Sequence, residues 1–257
     1  MLEGLYAGSI EDAAERESRV PASVLESRIE ELQPPIDALK AFSPRENIHV
    51  LAEVKRASPS RGDLAPIEEP EALAALYEIG GATGISVLTE QRKFKGSLND
   101  LELVRASVKV PLLRKDFIGN EYQLLEARAF GADIALLIVA GLSQATLKRL
   151  MNFTIELGLT PFLETHNREE VDRALDLGAT FVGVNARDLS TFETDRNLFG
   201  ELVGMFPADV IKVAESAVRG KEDVVHYRDA GADVVLVGEA LVISDPLVTL
   251  HSFLEVK

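Results

Sequence analysis

Residues that could carry out acid–base chemistry stand where apolar segments of the sequence end. Glu53 and Lys55 close an apolar run that begins at Ile48, and a loop of Ser, Pro and Gly follows them. Side chains alternate along a strand, so both should lie on the same side of it. Burying a carboxylate and an ammonium is costly unless they pair or meet a charged ligand. These two residues therefore predict either a satisfied ion pair or part of a functional site.

Three further ionisable residues occupy the same kind of position. Lys115, Glu164 and Glu215 each follow an apolar run. A surface loop would explain any one of these charges, but it explains the whole set poorly, because the residues before each of them must be inside. We therefore predict a shared acid–base site. The remaining apolar runs end at Thr89, Asn185 and Gly238.

Lys115 lies between Arg114 and Asp116, whose side chains should point to the opposite face. A neighbouring cation and partial burial both lower the pKa of a lysine, which makes it a useful acid–base group. The sequence therefore predicts a lowered pKa for Lys115. The alternative is a simple pair between Lys115 and Asp116.

The last two apolar runs are followed by segments that could bind phosphate. These segments are Glu215-Ser216-Ala217 and Gly238-Glu239-Ala240. Backbone N–H groups after such strands, together with a short helix N-terminus, can hold a phosphate. Gly238 would allow close backbone approach, although a glycine after a strand also occurs in ordinary turns.

Composition limits the classes of function. The 257 residues carry a net charge of −15, from 27 basic and 42 acidic side chains. Nucleic-acid and anionic-membrane binding both need a basic face, so we expect neither. The sequence has no cysteine, which excludes disulfides, cysteine nucleophiles and thiolate metal sites. The four scattered histidines lack ligand spacing, so we expect surface or packing residues and no metal.

The N-terminal segment is predicted to be a helical arm. Residues 1–17 carry several acids and do not resemble a signal peptide, and no apolar run approaches the ~20 residues of a membrane span. We therefore expect a cytoplasmic protein. Periodicity predicts an amphipathic helix over 9–31, a break at Pro34-Pro35 and a short helix to about Phe42. Residues 1–46 would form this arm on a single domain that spans 1–257.

Strand-like and helical segments alternate after the arm. Helices are predicted over Glu121–Phe130, Gln144–Leu157, Arg168–Leu177 and Lys221–Ala230. Apolar runs predict strands near 48–54, 84–88, 111–114, 133–139, 158–163, 180–184, 210–214 and 233–238. This alternation indicates βαβ units and a parallel sheet.

A weak internal repeat favours a closed sheet. Gly-Ala followed by Asp or Thr recurs about every 50 residues, at Gly81, Gly131, Gly178 and Gly231. Each interval equals about two βα units, so the motif introduces every second strand. Eight strands with this spacing favour an α/β fold of the (β/α)8 TIM-barrel type with an N-terminal helical extension. An open doubly wound sheet is the alternative, but no Gly-x-Gly-x-x-Gly follows the first strand.

Several separate stretches, in order, resemble the indole-3-glycerol phosphate synthase family of tryptophan biosynthesis. They are Leu51–Gly62, Ile85–Glu90, Phe94–Leu98, Leu112–Phe117, Phe162–Glu164, Asn185–Leu189 and Glu215-Ser216. The resemblance implies a carboxy-lyase that closes the ring of 1-(2-carboxyphenylamino)-1-deoxyribulose 5-phosphate. Indole-3-glycerol phosphate, carbon dioxide and water would be released, and no cofactor would be needed.

The resemblance also implies roles for individual residues. Lys115 would be the general acid for the ribulose carbonyl, and Glu164 would stabilise the cationic iminium and help move protons. Lys55 and Glu53 would assist the dehydration, Asn185 would orient the departing hydroxyl, and Glu215 belongs to the same catalytic set. Ser58, Ser60, Asn185 and Arg187 would bind the anthranilate carboxylate, Phe94 and Phe117 would flank the ring, and Ser216, Ala217, Gly238 and Glu239 would surround the phosphate.

Two positions depart from the family pattern. The family commonly has Gly where this chain has Ala217, and Ser or Gly where Ala240 stands, so a methyl group crowds the predicted phosphate loop. The rival families are the neighbouring isomerase of the pathway, which uses a cysteine base, another phosphosugar lyase or epimerase, and a catalytically silent barrel. The expected partner is a small anionic substrate. We expect a monomer, or weak association with other enzymes of the pathway.

Overall fold

The structure, a computed structural model, describes residues 2–59, 61–188, 191 and 193–257. Eight parallel strands close into a barrel, in which each strand pairs with its neighbours in the sequence and the first pairs with the last. The strands are β1 (His49–Val54), β2 (Gly84–Leu88), β3 (Leu112–Lys115), β4 (Ile134–Ile138), β5 (Thr160–Thr165), β6 (Phe181–Asn185), β7 (Ile211–Glu215) and β8 (Val234–Val237). The predicted (β/α)8 fold is confirmed, and the open sheet is excluded.

Helices precede the first strand, follow the later strands and cover the outside of the barrel. They are α1 (Leu2–Arg19), α2 (Ala22–Glu30), α3 (Ala38–Ala41), α4 (Pro70–Ile79), α5 (Leu98–Ser107), α6 (Glu121–Ala129), α7 (Gln144–Glu156), α8 (Arg168–Asp176), α9 (Leu198–Leu202), α10 (Lys221–Asp229), α11 (Glu239–Val242) and α12 (Pro246–Leu254). A short antiparallel hairpin, Ala57–Ser58 with Gly62–Asp63, lies in the loop after β1. No helix in the described part of the chain is both long and apolar enough to cross a membrane.

Local sequence signals set the ends of these helices. The side chains of Ser143 and Asn167 accept backbone N–H groups at the starts of α7 and α8. Gly131, Gly178 and Gly231 adopt positive φ angles of 89°, 76° and 102° where a helix turns into the next strand. A side chain would be strained in that conformation, which explains why glycine recurs there.

The N-terminal arm differs from the prediction in one respect. The single helix expected over 9–31 is wrong: α1 begins at Leu2 and ends at Arg19, and α2 starts after Pro21. A proline inside a helix removes a hydrogen bond and clashes with the carbonyl four residues earlier, so the chain breaks at this point. Helix α2 then packs on the outer face of α6 through Leu25, Leu125 and their apolar neighbours.

Aromatic side chains fill the barrel below the charged end. Phe162 and Phe181 lie with ring centroids 4.9 Å apart, and Phe42, just beyond α3, packs 5.4 Å from Phe181. All three are fully buried. A packed interior of this kind leaves space only at the opposite mouth, where the strands end.

Candidate active site

A cavity of about 320 Å³ lies at the carboxyl ends of the strands. Its walls include Glu53, Lys115, Glu164 and Glu215, from β1, β3, β5 and β7. Each of these positions follows inward-facing apolar residues, so the alternation of the strands turns all four side chains into the same mouth. Residues up to 162 positions apart in the sequence therefore meet in one pocket.

Lys115 is at the centre of this cluster. Its Nζ lies 3.0 Å from Glu164 Oε2 and 2.9 Å from Glu215 Oε2, and it donates a hydrogen bond to each. The alternative pair with Asp116 is not formed, because Asp116 lies on the outer side of β3 with Arg114. An ammonium has three N–H donors, so one remains for a third acceptor.

The predicted lowering of the Lys115 pKa is wrong. Burial does act to lower the pKa of this ammonium, but the charges of Glu164, Glu215 and Glu53 outweigh burial and raise its pKa. Arg114 was expected to crowd Lys115, but its guanidinium is on the other face and pairs with Asp116 at 3.0 Å and Glu126 at 3.3 Å. The acidic residues around this ammonium, Glu164 foremost, reverse the sign of the expected effect.

The two carboxylates that share Lys115 differ in their affinity for a proton. Burial raises the pKa of Glu164, but Lys115 and His166 lower it more, and the net shift is downward. Burial and the neighbouring charge of Glu164 raise the pKa of Glu215 to about 8, despite Lys115. In addition, Glu215 Oε1 is buried and finds no hydrogen-bond donor among the described residues, which disfavours the ionised form. Near neutral pH the pair therefore consists of an ionised Glu164 and a protonated Glu215.

Glu53 and Lys55 form an ion pair in the wall of the cavity. A Cβ atom on Gly238 would lie 2.5 Å from Glu53 Oε2 and 3.2 Å from Lys55 Nζ, so the pair needs a glycine at this position. The sequence predicted either a satisfied ion pair or part of a functional site. The two alternatives are compatible, because the two charges pair with each other and still face the cavity.

The predicted phosphate loop has an unusual backbone. Ser216 and Ala217 have φ angles of 69° and 56°, in the left-handed region that costs a non-glycine residue roughly 1–2 kcal/mol. Ser216 Oγ donates to Asn185 Oδ1 at 2.8 Å, and the backbone N–H of Arg187 donates to the same oxygen at 3.1 Å. These bonds orient the Asn185 amide. Asn185, Arg187, Ser216 and Ala217 all border the cavity.

The loop after β1 and helix α11 face each other across the cavity. Arg61 Nη2 lies 3.0 Å from Glu239 Oε1, and Ser58, Gly238 and Glu239 also border the pocket. Ser60, predicted to bind the substrate carboxylate, lies outside the described residues. Among the described residues, no group of three or more His, Asp or Glu side chains is arranged to hold a metal ion.

Aromatic rings form the apolar wall. Phe94 and Phe117 border the cavity with their centroids 6.1 Å apart. Tyr6 of the N-terminal arm packs edge-on against Phe117 at 5.8 Å, and Leu5 reaches the cavity itself. The sequence analysis missed this part of the arm, since it treated residues 1–46 as an addition. The signal that remained unused was the apolar spacing of Leu2, Leu5 and Tyr6 in the first turns of α1.

His166 is a second residue that sequence reasoning missed. Its Nε2 lies 3.3 Å from Glu164 Oε1, and its side chain is only 10% exposed. It was placed among the surface or packing histidines. The usable signal was its position two residues after Glu164, which alternation places on the same side of the chain.

Comparison of the sequence with known proteins gives consistent results. The family model for indole-3-glycerol phosphate synthase matches residues 2–251. An indole-3-glycerol phosphate synthase of Leifsonia xyli subsp. xyli is 60% identical over 253 residues, which are 98% of this chain and 97% of the relative. Another, from Mycolicibacterium gilvum, is 53% identical and covers 96% of this chain and 90% of the relative.

Solved structures that are similar to this one share the fold at low sequence identity. An N-acetylmannosamine-6-phosphate 2-epimerase from Clostridium perfringens has a TM-score of 0.63 at 16% identity, covering 82% of this chain and 93% of that one. A structure described as native KDPGal has a TM-score of 0.57 at 14% identity, covering 80% and 92%. At this identity the similarity supports the barrel alone.

Proposed function

The chain belongs to the indole-3-glycerol phosphate synthase family, and from this we propose how its own residues perform the ring closure. The family predicted from the sequence motifs is thereby confirmed. The proposed reaction joins the aryl carbon that bears the carboxylate to the carbonyl carbon of 1-(2-carboxyphenylamino)-1-deoxyribulose 5-phosphate. Loss of carbon dioxide and then of water would give indole-3-glycerol phosphate. The carboxy-lyase class, the cytoplasmic location and the monomeric state stay predictions.

We infer that Lys115 acts on the ribulose carbonyl. Two of its N–H donors are used by Glu164 and Glu215, and the third can reach a substrate oxygen in the cavity. As the aryl carbon attacks, negative charge grows on that oxygen, and a fixed ammonium stabilises it. The raised pKa of Lys115 means that it needs a proton source after donating.

Glu215 is suited to be that source. It is protonated near neutral pH, since its pKa is raised to about 8, and its Oε2 is 2.9 Å from Lys115 Nζ. A proton lost by Lys115 to the substrate can therefore be replaced from Glu215 without solvent. The ionised Glu164 faces the same space and would stabilise the iminium that forms when the ring loses aromaticity.

The dehydration step would use the other side of the cavity. Lys55 can protonate the departing hydroxyl, and Glu53, its ion-pair partner, can accept the proton that the ring carbon or nitrogen gives up. Asn185 accepts at its Oδ1 from Ser216 and Arg187, so its Nδ2 amide group is the donor left to orient that hydroxyl.

The substrate's two anionic groups would bind to different residues of the cavity wall. Backbone N–H groups of the Ser216-Ala217 loop and of the Gly238-Glu239 turn are the proposed phosphate donors. Ser58 and Arg187 border the cavity and are the proposed partners of the anthranilate carboxylate, whose ring would lie against Phe94 and Phe117. The observation that carries the proposal is the Lys115 cluster, which combines a cation, an ionised acid and a protonated acid at one point.

Lys115→Met tests this proposal. Methionine has a similar length but no charge, so the variant should lose turnover by at least about 10²–10⁴-fold, the range of general acid catalysis. Indole formation can be followed by product fluorescence, since the chain contains no tryptophan. The control is Lys148→Met, which changes an exposed lysine on α7. Turnover that survives in Lys115→Met would remove Lys115 from the mechanism.

A further inference from the structure

His166 links the cavity to helix α8 without bordering the cavity itself. It follows β5, and its imidazole lies between two carboxylates of different elements. Nδ1 is 3.0 Å from Glu170 Oε2 on α8, and Nε2 is 3.3 Å from Glu164 Oε1 in the active site. The mechanism proposed above gives this buried, titratable ring no role.

Glu170 is fixed on its side of the ring. The backbone N–H of His166 donates to Glu170 Oε2 at 2.8 Å, and Asn167 Nδ2 donates to Glu170 Oε1 at 2.6 Å. In return, Asn167 Oδ1, at the N-cap of α8, accepts the backbone N–H of Glu170. The start of α8 therefore holds the Glu170 carboxylate rigidly against Nδ1 of His166.

The geometry favours protons on both ring nitrogens. An ionised carboxylate can accept hydrogen bonds but cannot donate them. The hydrogen bond between His166 Nδ1 and Glu170 therefore needs a proton on Nδ1. Nε2 is buried 3.3 Å from Glu164 Oε1 and makes no hydrogen bond to a described residue, so without a second proton its lone pair would lie beside the carboxylate with only repulsion between them. A proton on Nε2 turns this repulsion into attraction, and His166 is then an imidazolium.

The charges around the ring favour the same state. Burial acts to lower the pKa of His166, but Glu164 and Glu170 outweigh it and raise the pKa to about 10. These two carboxylates are the charged groups that face the ring, Glu164 from β5 and Glu170 from α8. On its other side Glu164 contacts Lys115, which in turn contacts Glu215.

We propose that His166 is a positioning residue that, as an imidazolium held by Glu170, keeps Glu164 ionised and turned into the cavity. The proton shared by the two active-site acids then resides on Glu215, where Lys115 can use it. The inference rests on the proposed function of Glu164, and it assigns to α8 a part in controlling the acid–base cluster. His166 and Glu170 do not border the cavity and act on the substrate only through Glu164.

Removing the imidazolium would leave Lys115 as the one remaining cation beside Glu164 in the described part of the site. Loss of an opposite charge at this distance raises the pKa of a carboxyl group by about 1–3 units. Glu164 would then take up a larger share of the proton that Glu215 holds. Substrate binding depends on groups elsewhere in the cavity, so kcat should suffer more than KM.

The test compares His166→Gln and Glu170→Gln with the unchanged enzyme. His166→Gln should lower kcat about tenfold or more, leave KM within about threefold, and move the acid limb of the kcat profile to higher pH by about one unit. Glu170→Gln should move the limb in the same direction by less. His251→Gln, at an exposed histidine on α12, is the matched control and should change neither.

A second measurement reads the ring directly. In ¹⁵N-histidine spectra of the whole protein, His166 should show the charged ring at pH 7, and Glu164→Gln should lower the pH at which it titrates. A neutral His166 at pH 7, or a His166→Gln variant with the kcat and acid limb of the unchanged enzyme, would overturn the proposal. If the unchanged protein forms no product, the proposed function fails, whereas the spectra still decide the state of His166.

Discussion

Replacing Asp116 by asparagine should destabilise the protein strongly, although this residue of the cavity wall has no proposed part in the reaction. Its carboxylate accepts four hydrogen bonds. Ser9 Oγ of α1 donates at 2.8 Å, Thr89 Oγ1 at 2.6 Å, the backbone N–H of Phe117 at 2.8 Å and Arg114 Nη2 at 3.0 Å. One buried charge thus joins the N-terminal arm, two strand ends and the loop that carries Phe117.

The expected cost follows from what Asp116→Asn leaves behind. Arg114 is fully buried, and its remaining carboxylate partner would be Glu126 at 3.3 Å. Breaking a buried ion pair by removing one partner costs about 3–5 kcal/mol. Since Glu126 still compensates part of the charge, we expect about 3 kcal/mol, against a total stability of about 5–15 kcal/mol for a typical domain. The loop with Phe117 should also loosen, so kcat/KM should fall.

Urea unfolding followed by circular dichroism measures this loss. The control is Asp172→Asn, an exposed aspartate on α8, which should stay within about 0.5 kcal/mol of the unchanged protein. Burial acts to raise the pKa of Asp116, but Arg114 and the hydroxyls of Thr89 and Ser9 lower it overall. The stabilisation is therefore present above the unfolded pKa of about 4 and is lost as pH falls through the folded value.

The difference between Asp116→Asn and the unchanged protein should accordingly be constant from about pH 5 to 8 and shrink in acid. A loss below about 1 kcal/mol at pH 7, equal to that of Asp172→Asn, would refute this reasoning.

Two further predictions concern the cavity. Ala217→Gly should raise the thermal midpoint, because the left-handed conformation at φ 56° costs alanine about 1 kcal/mol more than glycine, and it should tighten binding of inorganic phosphate in calorimetry. An unchanged midpoint and affinity would contradict it. In the unchanged protein, the Glu215 pKa raised to about 8 implies stability that is complete below the unfolded pKa near 4.3 and lost as pH rises through 8. In urea unfolding between pH 5 and 9, the stability of Glu215→Gln should not show this decline. Parallel stability profiles for the variant and the unchanged protein would contradict the raised pKa of Glu215.

The strands and helices were predictable because their signals are local. The alternation of apolar runs with amphipathic segments, the glycines that end helices before β4, β6 and β8, and the caps at Ser143 and Asn167 each depend on a few adjacent residues. The same locality explains the error in the arm, where apolar periodicity continues across Pro21 and hides the break between α1 and α2. The positions of the charged residues at strand ends also followed from the sequence, since parallel strands in a barrel end at one mouth.

The sequence by itself determined the fold class, the family and the charged residues of the strand ends that meet at the cavity. The tertiary structure alone decided how those residues affect one another. The predicted lowering of the Lys115 pKa failed because Arg114, adjacent in the sequence, points away, whereas Glu164 and Glu215, 49 and 100 residues distant, lie at hydrogen-bond distance. The parts played by Leu5 of the arm and by His166 were hidden for the same reason. Coulomb energies and burial depend on distances in space, and these exist only after the barrel has closed.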